Sequence, residues 1–141
     1  MPAVRQHSEV VTVATRRGLT DVTDDVVRVV RSADVRQGLC TIFIRHTSAS
    51  LVIQENADPA VLADLEAFFG RLVPDGDRLF THVAEGPDDM PAHVKAALTK
   101  TSEQIPIVEG RLALGTWQAI YVWEHRTGRH RREIVVHVLG E

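Results

Sequence analysis

Three histidines stand where an imidazole could do chemistry: His46, His82 and His93. An imidazole can ligate a metal, move a proton near neutral pH, or sit satisfied inside a core. His46 closes the apolar run that begins at Leu39 and is followed by Thr47, Ser48, Ala49 and Ser50. At the rim of a core it can be a ligand, a base or a hydrogen-bonded buried side chain. His82 lies between turn signals, in Phe80-Thr81-His82-Val83-Ala84-Glu85-Gly86. His93 follows Pro91 in the first turn of a helical segment. The positive end of a helix dipole disfavours imidazolium, and neutral imidazole is the form a ligand or general base needs. The His82–His93 spacing matches no compact metal motif such as His-Glu-x-x-His, so spacing by itself leaves a metal site open.

Carboxylates accompany the histidines. Glu55 shares a strand face with Leu51 and Ile53. Asp58, directly before Pro59, has the signature of a helix N-cap. Asp88 and Asp89 read either as caps or as acceptors that orient a histidine. Glu124 follows Ile120 and Val122 on one strand face; if it lies inside, it needs a cation or a hydrogen-bond partner. Gly115-Thr116 enters a strand, either as an ordinary turn with Trp117 filling the core or as a close approach of backbone to a ligand. The run His125–Arg132 holds Arg126, Arg129, Arg131 and Arg132 and reads as a basic hairpin tip, either solvated or an anion site. Ser48 and Ser50 lie near His46 in sequence, but no strand–elbow–helix nucleophile signature surrounds them.

The elements that must position these groups alternate along the chain. A β-branched strand spans 7–16, and a helix capped near Asp21 or Thr23 runs over 24–35 to a stop at Gly38. Strands 39–46 and 50–55 form an expected hairpin. A helix starts at Pro59 and ends before Pro74 and Gly76; its apolar face is Val61, Leu62, Leu65, Phe68, Phe69 and Leu72. A loop spans 75–89, and a third helix runs from about Pro91 to Thr99. Strands are predicted at 104–108, 117–124 and 132–139, with turns at Gly110 and Gly128. The pattern predicts an α+β fold with mostly antiparallel pairing.

A chain of 141 residues, 44% hydrophobic and 25% charged, fits one domain over 1–141. A net charge of -3 argues against a dedicated nucleic-acid binder. The single cysteine, Cys40, sits among apolar residues; it cannot form an internal disulfide, which suits a reducing compartment. No signal peptide is visible and no apolar segment approaches the ~20 residues of a spanning helix, so a cytoplasmic protein without membrane contact is expected.

Four segments together resemble the YjbQ-like family, UPF0047, also called the secondary thiamine-phosphate synthase family. They are Phe43-Ile44-Arg45-His46-Thr47-Ser48-Ala49-Ser50, Glu55-Asn56-Ala57-Asp58-Pro59, Glu85-Gly86-Pro87-Asp88-Asp89-Met90-Pro91-Ala92-His93-Val94-Lys95, and Gly110-Arg111-Leu112-Ala113-Leu114-Gly115-Thr116-Trp117-Gln118. The resemblance implies an α+β sandwich of two sheets with about three helices, assembled as a homotrimer. It implies a pocket of histidines and carboxylates at or near a subunit boundary, able to hold a metal ion or an anion. Carried over by motif, His46, His82 and His93 would hold a divalent metal, with zinc favoured by imidazole ligands. His82, Glu55, Asp89 and Glu124 would be the catalytic set, and Arg131, Gly115 and Thr116 would contact substrate. Thr81 departs from the family pattern, which places an aromatic residue before this histidine. The implied activity is a thiamine-phosphate synthase-like transfer on phosphorylated small molecules. Binding of a metal or metabolite without turnover is the alternative. Either reading requires three imidazoles far apart in sequence to converge on one solvent-reachable cavity.

Overall fold

The computed structural model describes residues 3–141. The elements in order are β1 (Arg5–Asp21), α1 (Thr23–Ala33), β2 (Gly38–Ile44), β3 (Ala49–Glu55), α2 (Pro59–Leu72), α3 (Asp89–Leu98), β4 (Ser102–Val108), β5 (Arg111–Leu112) and β6 (Gln118–Gly140). The α+β class and the helix count agree with expectation. The strands hydrogen-bond into one six-stranded antiparallel sheet rather than two.

The difference comes from β6. The expected turn at Gly128 is not a hairpin; the chain continues as a single strand of 23 residues. β1 pairs along it from Arg5↔Gly140 to Asp21↔Tyr121. On the opposite edge, β3 takes the first part of β6 and β2 takes the second, so β2 and β3 lie on a common neighbour and the expected 39–55 hairpin does not form. Between Arg16↔Arg129 and Gly18↔Glu124 the register slips: one residue of β1 faces four of β6. Such a bulge bends and twists the strand. Gly18, at φ +117°, supplies the left-handed backbone there at no steric cost.

One face of the sheet packs on α1 through Val26, Val29 and Val30, against Val11, Val13, Ile42, Ile44, Ile120, Val122, Ile134, Val136 and Val138. Cys40 is buried in this cluster, and burial pushes its thiol up to about 11, as an inert apolar packing group requires. The other face of β6 is clad only in its first part. There Phe69 of α2 stacks edge-on against Trp123 at 4.7 Å, and the Trp123 indole donates to Glu66. No residue of α2 is fully buried; Phe68 and Leu72, expected on its packed face, are exposed. Asp58 caps α2 as expected, accepting from the Ala60 N–H at 2.9 Å. Gly38 does more than end a helix. A Cβ there would strike the Leu139 carbonyl, so the residue lets β2 approach the chain end closely.

Candidate functional site

The β6 bulge is what anchors the site. Thr127 donates its backbone N–H and its hydroxyl to Asp88 Oδ2 at 3.0 and 3.1 Å, and Arg126 Nε reaches the same oxygen at 3.2 Å. Asp88 is buried at the N-cap position of α3, where its side chain makes no capping bond; burial pushes its carboxyl up, but these donors outweigh burial and hold it down at about 2. Arg126 also donates to the Glu85 carbonyl and lies 3.4 Å from Asp89 Oδ1. The loop between α2 and α3 is tied back by a forked Arg17–Asp75 pair at 2.8 and 3.0 Å and by the Gly76 N–H to the Pro87 carbonyl. This places His82 over the first turn of α3.

Asp89 Oδ2 then sits 2.7 Å from His82 Nε2 and 3.1 Å from His93 Nε2. The two rings meet at 5.4 Å between centroids. The carboxylate is 3% exposed, whereas the His82 and His93 side chains are 46% and 30% exposed, so the charge is inside and the imidazoles open to solvent. Burial raises the Asp89 carboxyl, but the His82 hydrogen bond and the charges of His93 and Arg126 outweigh it, and the group lies below the usual carboxylate range.

His93 has its tautomer fixed by its other nitrogen. Nδ1 lies 2.9 Å from the Thr47 carbonyl, which only accepts, so Nδ1 carries the proton. A neutral ring then turns the Nε2 lone pair onto an ionised carboxylate. The contact is favourable only with a cation between them, either a second proton on His93 or a metal ion. A ring N–H given to a backbone carbonyl is also the usual support of a metal-ligating histidine. The ligand atoms of His82, Asp89 and His93 all lie within 4.8 Å of one another. Two imidazoles and a carboxylate form a three-ligand donor set that fits zinc with a position left open. The residues therefore fit a divalent metal.

His46 is placed elsewhere. Its Nε2 accepts the Glu133 N–H at 2.7 Å where the β2–β6 ladder ends, and its Nδ1 faces Arg132 Nη1 at 3.5 Å. A guanidinium against the remaining nitrogen opposes a metal ion there, and His46 lies outside the group that His82, Asp89 and His93 form. Burial, then Arg132, lowers its pKa. Glu124 is buried with a cation partner: Arg132 Nε and Nη2 each donate to it at 2.6 Å, and Thr15 adds a third donor. Burial raises its carboxyl, but Arg132 outweighs this and holds it low. Arg131, expected on substrate, points to the other side of β6 and lines an open cleft with Thr15, Arg16, Arg129 and His130. Glu55, Gly115 and Thr116 gather at the far end of β3, about 20 Å along the strand from Ala49. There Glu55 accepts from the Asn56 and Ala57 N–H groups, and Asn56 donates to the Thr116 carbonyl. Trp117 is 64% exposed and fills no core.

Asp88 was read as a cap or a histidine acceptor, and Arg126 and Arg132 as part of a basic hairpin tip, but none of the three was placed in the site. Arg132 was legible by alternation: it shares parity with Ile134, Val136 and Val138, whereas Arg131 does not. No comparable signal marks Arg126 or Asp88, because their meeting depends on the bulge.

The family model described as UPF0047 protein YjbQ-like matches residues 8–141. A UPF0047 protein of Synechocystis sp. is 57% identical over 138 residues, covering 97% of this chain and 94% of its own length. The UPF0047 protein YjbQ of Escherichia coli O157:H7 is 42% identical over 129 residues, covering 91% and 93%. Among solved structures, a YbjQ-like protein of unknown function from Sulfolobus solfataricus P2 superposes with a TM-score of 0.89 at 28% identity, covering 99% of this chain and 100% of that one. A YjbQ/UPF0047 protein from Clostridium acetobutylicum gives 0.84 at 35% identity, covering 92% and 98%. With a family model spanning nearly the whole sequence and a fold that matches throughout, the chain belongs to the YjbQ-like UPF0047 family.

Proposed function

We propose that His82, Asp89 and His93 hold a divalent metal, zinc in the first instance, and that this centre acts on a phosphorylated small molecule. The observation that carries the reading is Asp89 Oδ2, buried, ionised and approached by two partly exposed imidazole nitrogens at 2.7 and 3.1 Å. A bound metal would supply charge neutralisation for phosphoryl oxygens and for a departing diphosphate.

The chain's own residues do the positioning. Arg126 and Thr127 fix Asp88, Arg126 reaches Asp89, and the Thr47 carbonyl orients His93. A cleft of about 440 Å³ beside His82, lined by Phe80, Val83, Pro87, Met90 and Pro91 among others, offers an apolar wall for the organic part of a substrate. Glu55, Gly115 and Thr116 lie too far away to join within one chain; they take part only if another copy brings them, so the expected homotrimer belongs to this proposal. A cytoplasmic setting suits it. Among the described residues no helix is long and apolar enough to cross a membrane.

The reaction to assay is thiamine-phosphate synthesis from a pyrimidine diphosphate and a thiazole phosphate. The expected result is metal-dependent turnover that falls at least about a hundredfold in His82→Ala. Turnover equal in both proteins would refute the catalytic reading. Metal binding without any turnover would leave the non-enzymatic one.

A further inference from the structure

We infer that His46 and Arg132 form an anion clamp that takes a phosphoryl oxygen next to the His82–Asp89–His93 cluster. It names the phosphate-binding part of the site proposed above, yet it rests on a separate observation about where two protons must be.

The backbone N–H of Glu133 can only donate, and it lies 2.7 Å from His46 Nε2. Nε2 must therefore hold the ring's lone pair, so Nδ1 carries the hydrogen and the ring is neutral. That N–H points toward Arg132 Nη1 at 3.5 Å. A guanidinium has no lone pair to offer, so the contact joins two donors and is no hydrogen bond. The other donors of Arg132 are used: Nε and Nη2 grip Glu124, and Nη2 also reaches Ser48 Oγ at 3.1 Å. Nη1 has no acceptor among the described residues, and neither has His46 Nδ1. Arg132 is 7% exposed. Donors held at that depth are normally satisfied, and this pair is satisfied together by one oxyanion placed across it.

The pair is built to stay in place. Glu124 fixes the guanidinium plane from below and Thr15 fixes Glu124. The donor edges of Arg132 have thus been met except on the side that faces His46. That side opens at half-buried His46 and exposed Thr47. The next carbonyl along the loop, that of Thr47, is the one that receives His93 Nδ1, which sets the clamp and the imidazole–carboxylate cluster on either side of a single residue. Guanidinium and a ring N–H directed at one oxygen suit phosphate better than carboxylate, since the tetrahedral group keeps further oxygens free to face the neighbouring cluster.

The test is a calorimetric titration of the full-length protein with inorganic phosphate in the presence of a chelator, with acetate as a second arm. Two substitutions separate the donor from the strand contact. His46→Gln keeps an acceptor for Glu133 but places no N–H at the Nδ1 position; His46→Asn keeps a donor near Nδ1. The expected result is phosphate binding weakened at least about tenfold in His46→Gln, the size of one charge-assisted hydrogen bond, and largely kept in His46→Asn. Phosphate affinity indifferent to His46→Gln, or acetate bound as tightly as phosphate, would overturn the clamp. If His46→Gln does not fold, ring-nitrogen NMR of the unsubstituted protein decides. The clamp requires a protonated Nδ1 on His46 whose signal moves with phosphate; a protonated Nε2, or a signal that does not move, would overturn it. Zinc titrations run in parallel keep the two readings apart. Phosphate binding lost in His46→Gln, in a protein that takes up no zinc in its own titration, would fail the metal centre alone, and zinc bound with phosphate indifferent to His46→Gln would fail the clamp alone.

Discussion

Two buried carboxylates lie on either side of the loop at Thr47, and they are treated in opposite ways. Glu124 is 0% exposed and has its charge matched by a guanidinium, a hydroxyl and the Arg126 N–H. Nothing is left for a ligand to do at Glu124 itself. Asp89 is almost as deep, but beside Arg126 at 3.4 Å its partners are two imidazoles open to solvent, and one of them needs a cation to meet it favourably. The first carboxylate is satisfied by the fold, and the second is left to a cation, either a second proton on His93 or a metal ion. The contrast teaches that a buried charge marks structure or function according to how completely the chain satisfies it.

The largest expected effect breaks the finished side. Arg132→Met leaves Glu124 buried without its cation and should cost about 3–5 kcal/mol in denaturant unfolding. A loss below about 1 kcal/mol would mean that Glu124 is solvated after all.

The next effect is acid sensitivity from a third buried polar group. His125 is 1% exposed, meets Ser50 Oγ at 2.9 Å, and burial, then the Lys95 charge, lowers its pKa from 6.5 to about 3. A folded-state pKa below the unfolded one means the unfolded chain binds more protons between these values. The contribution of His125 is therefore complete above pH 6.5 and is lost as pH falls toward 3, roughly 2–4 kcal/mol over the window. His125→Gln should flatten that part of the stability–pH curve, and an unchanged slope would contradict the assignment.

Sharpening the unfinished side calls for a substitution next to Asp89 that is not itself a ligand. Arg126→Ala removes a group that touches Asp89 and also ties Asp88 and the Glu85 carbonyl, and metal affinity should fall about 10–100-fold in a titration of the folded variant. The smallest effect belongs to a surface control. Arg5 and Asp34 pair at 2.6 Å but are largely exposed, so Arg5→Ala should shift stability by less than about 1 kcal/mol and metal affinity not at all.

Local signals carried the helices and the core strands well. Asp58 before Pro59 marks the start of α2, and the alternation Cys40, Ile42, Ile44 marks the buried face of β2. Glu124 was legible as a carboxylate that needs a partner if inside, because it falls in step with Ile120 and Val122. What failed was the reading of 125–132 as a hairpin tip. Gly128 and the arginine run look like a turn, yet β1 is long enough to pair across the whole stretch and absorbs the mismatch in one bulge. The two-sheet expectation and the pairing of β2 with β3 failed with it, since both depended on where that chain turns. Arg131 was preferred to Arg132 by motif although alternation favours Arg132. The meeting of His82 with His93 depends on a loop held by Arg17, Arg126 and Thr127, contacts that no local pattern announces.

The central claim is that a cation completes Asp89 between His82 and His93, with His46 outside the ligand set. Zinc titration of the metal-stripped protein beside His82→Ala, His93→Ala and His46→Ala tests it most directly. One zinc per chain is expected in the unsubstituted protein and in His46→Ala, and loss of binding in the other two. Zinc binding that survives in His82→Ala and His93→Ala, or that vanishes with His46, would contradict it.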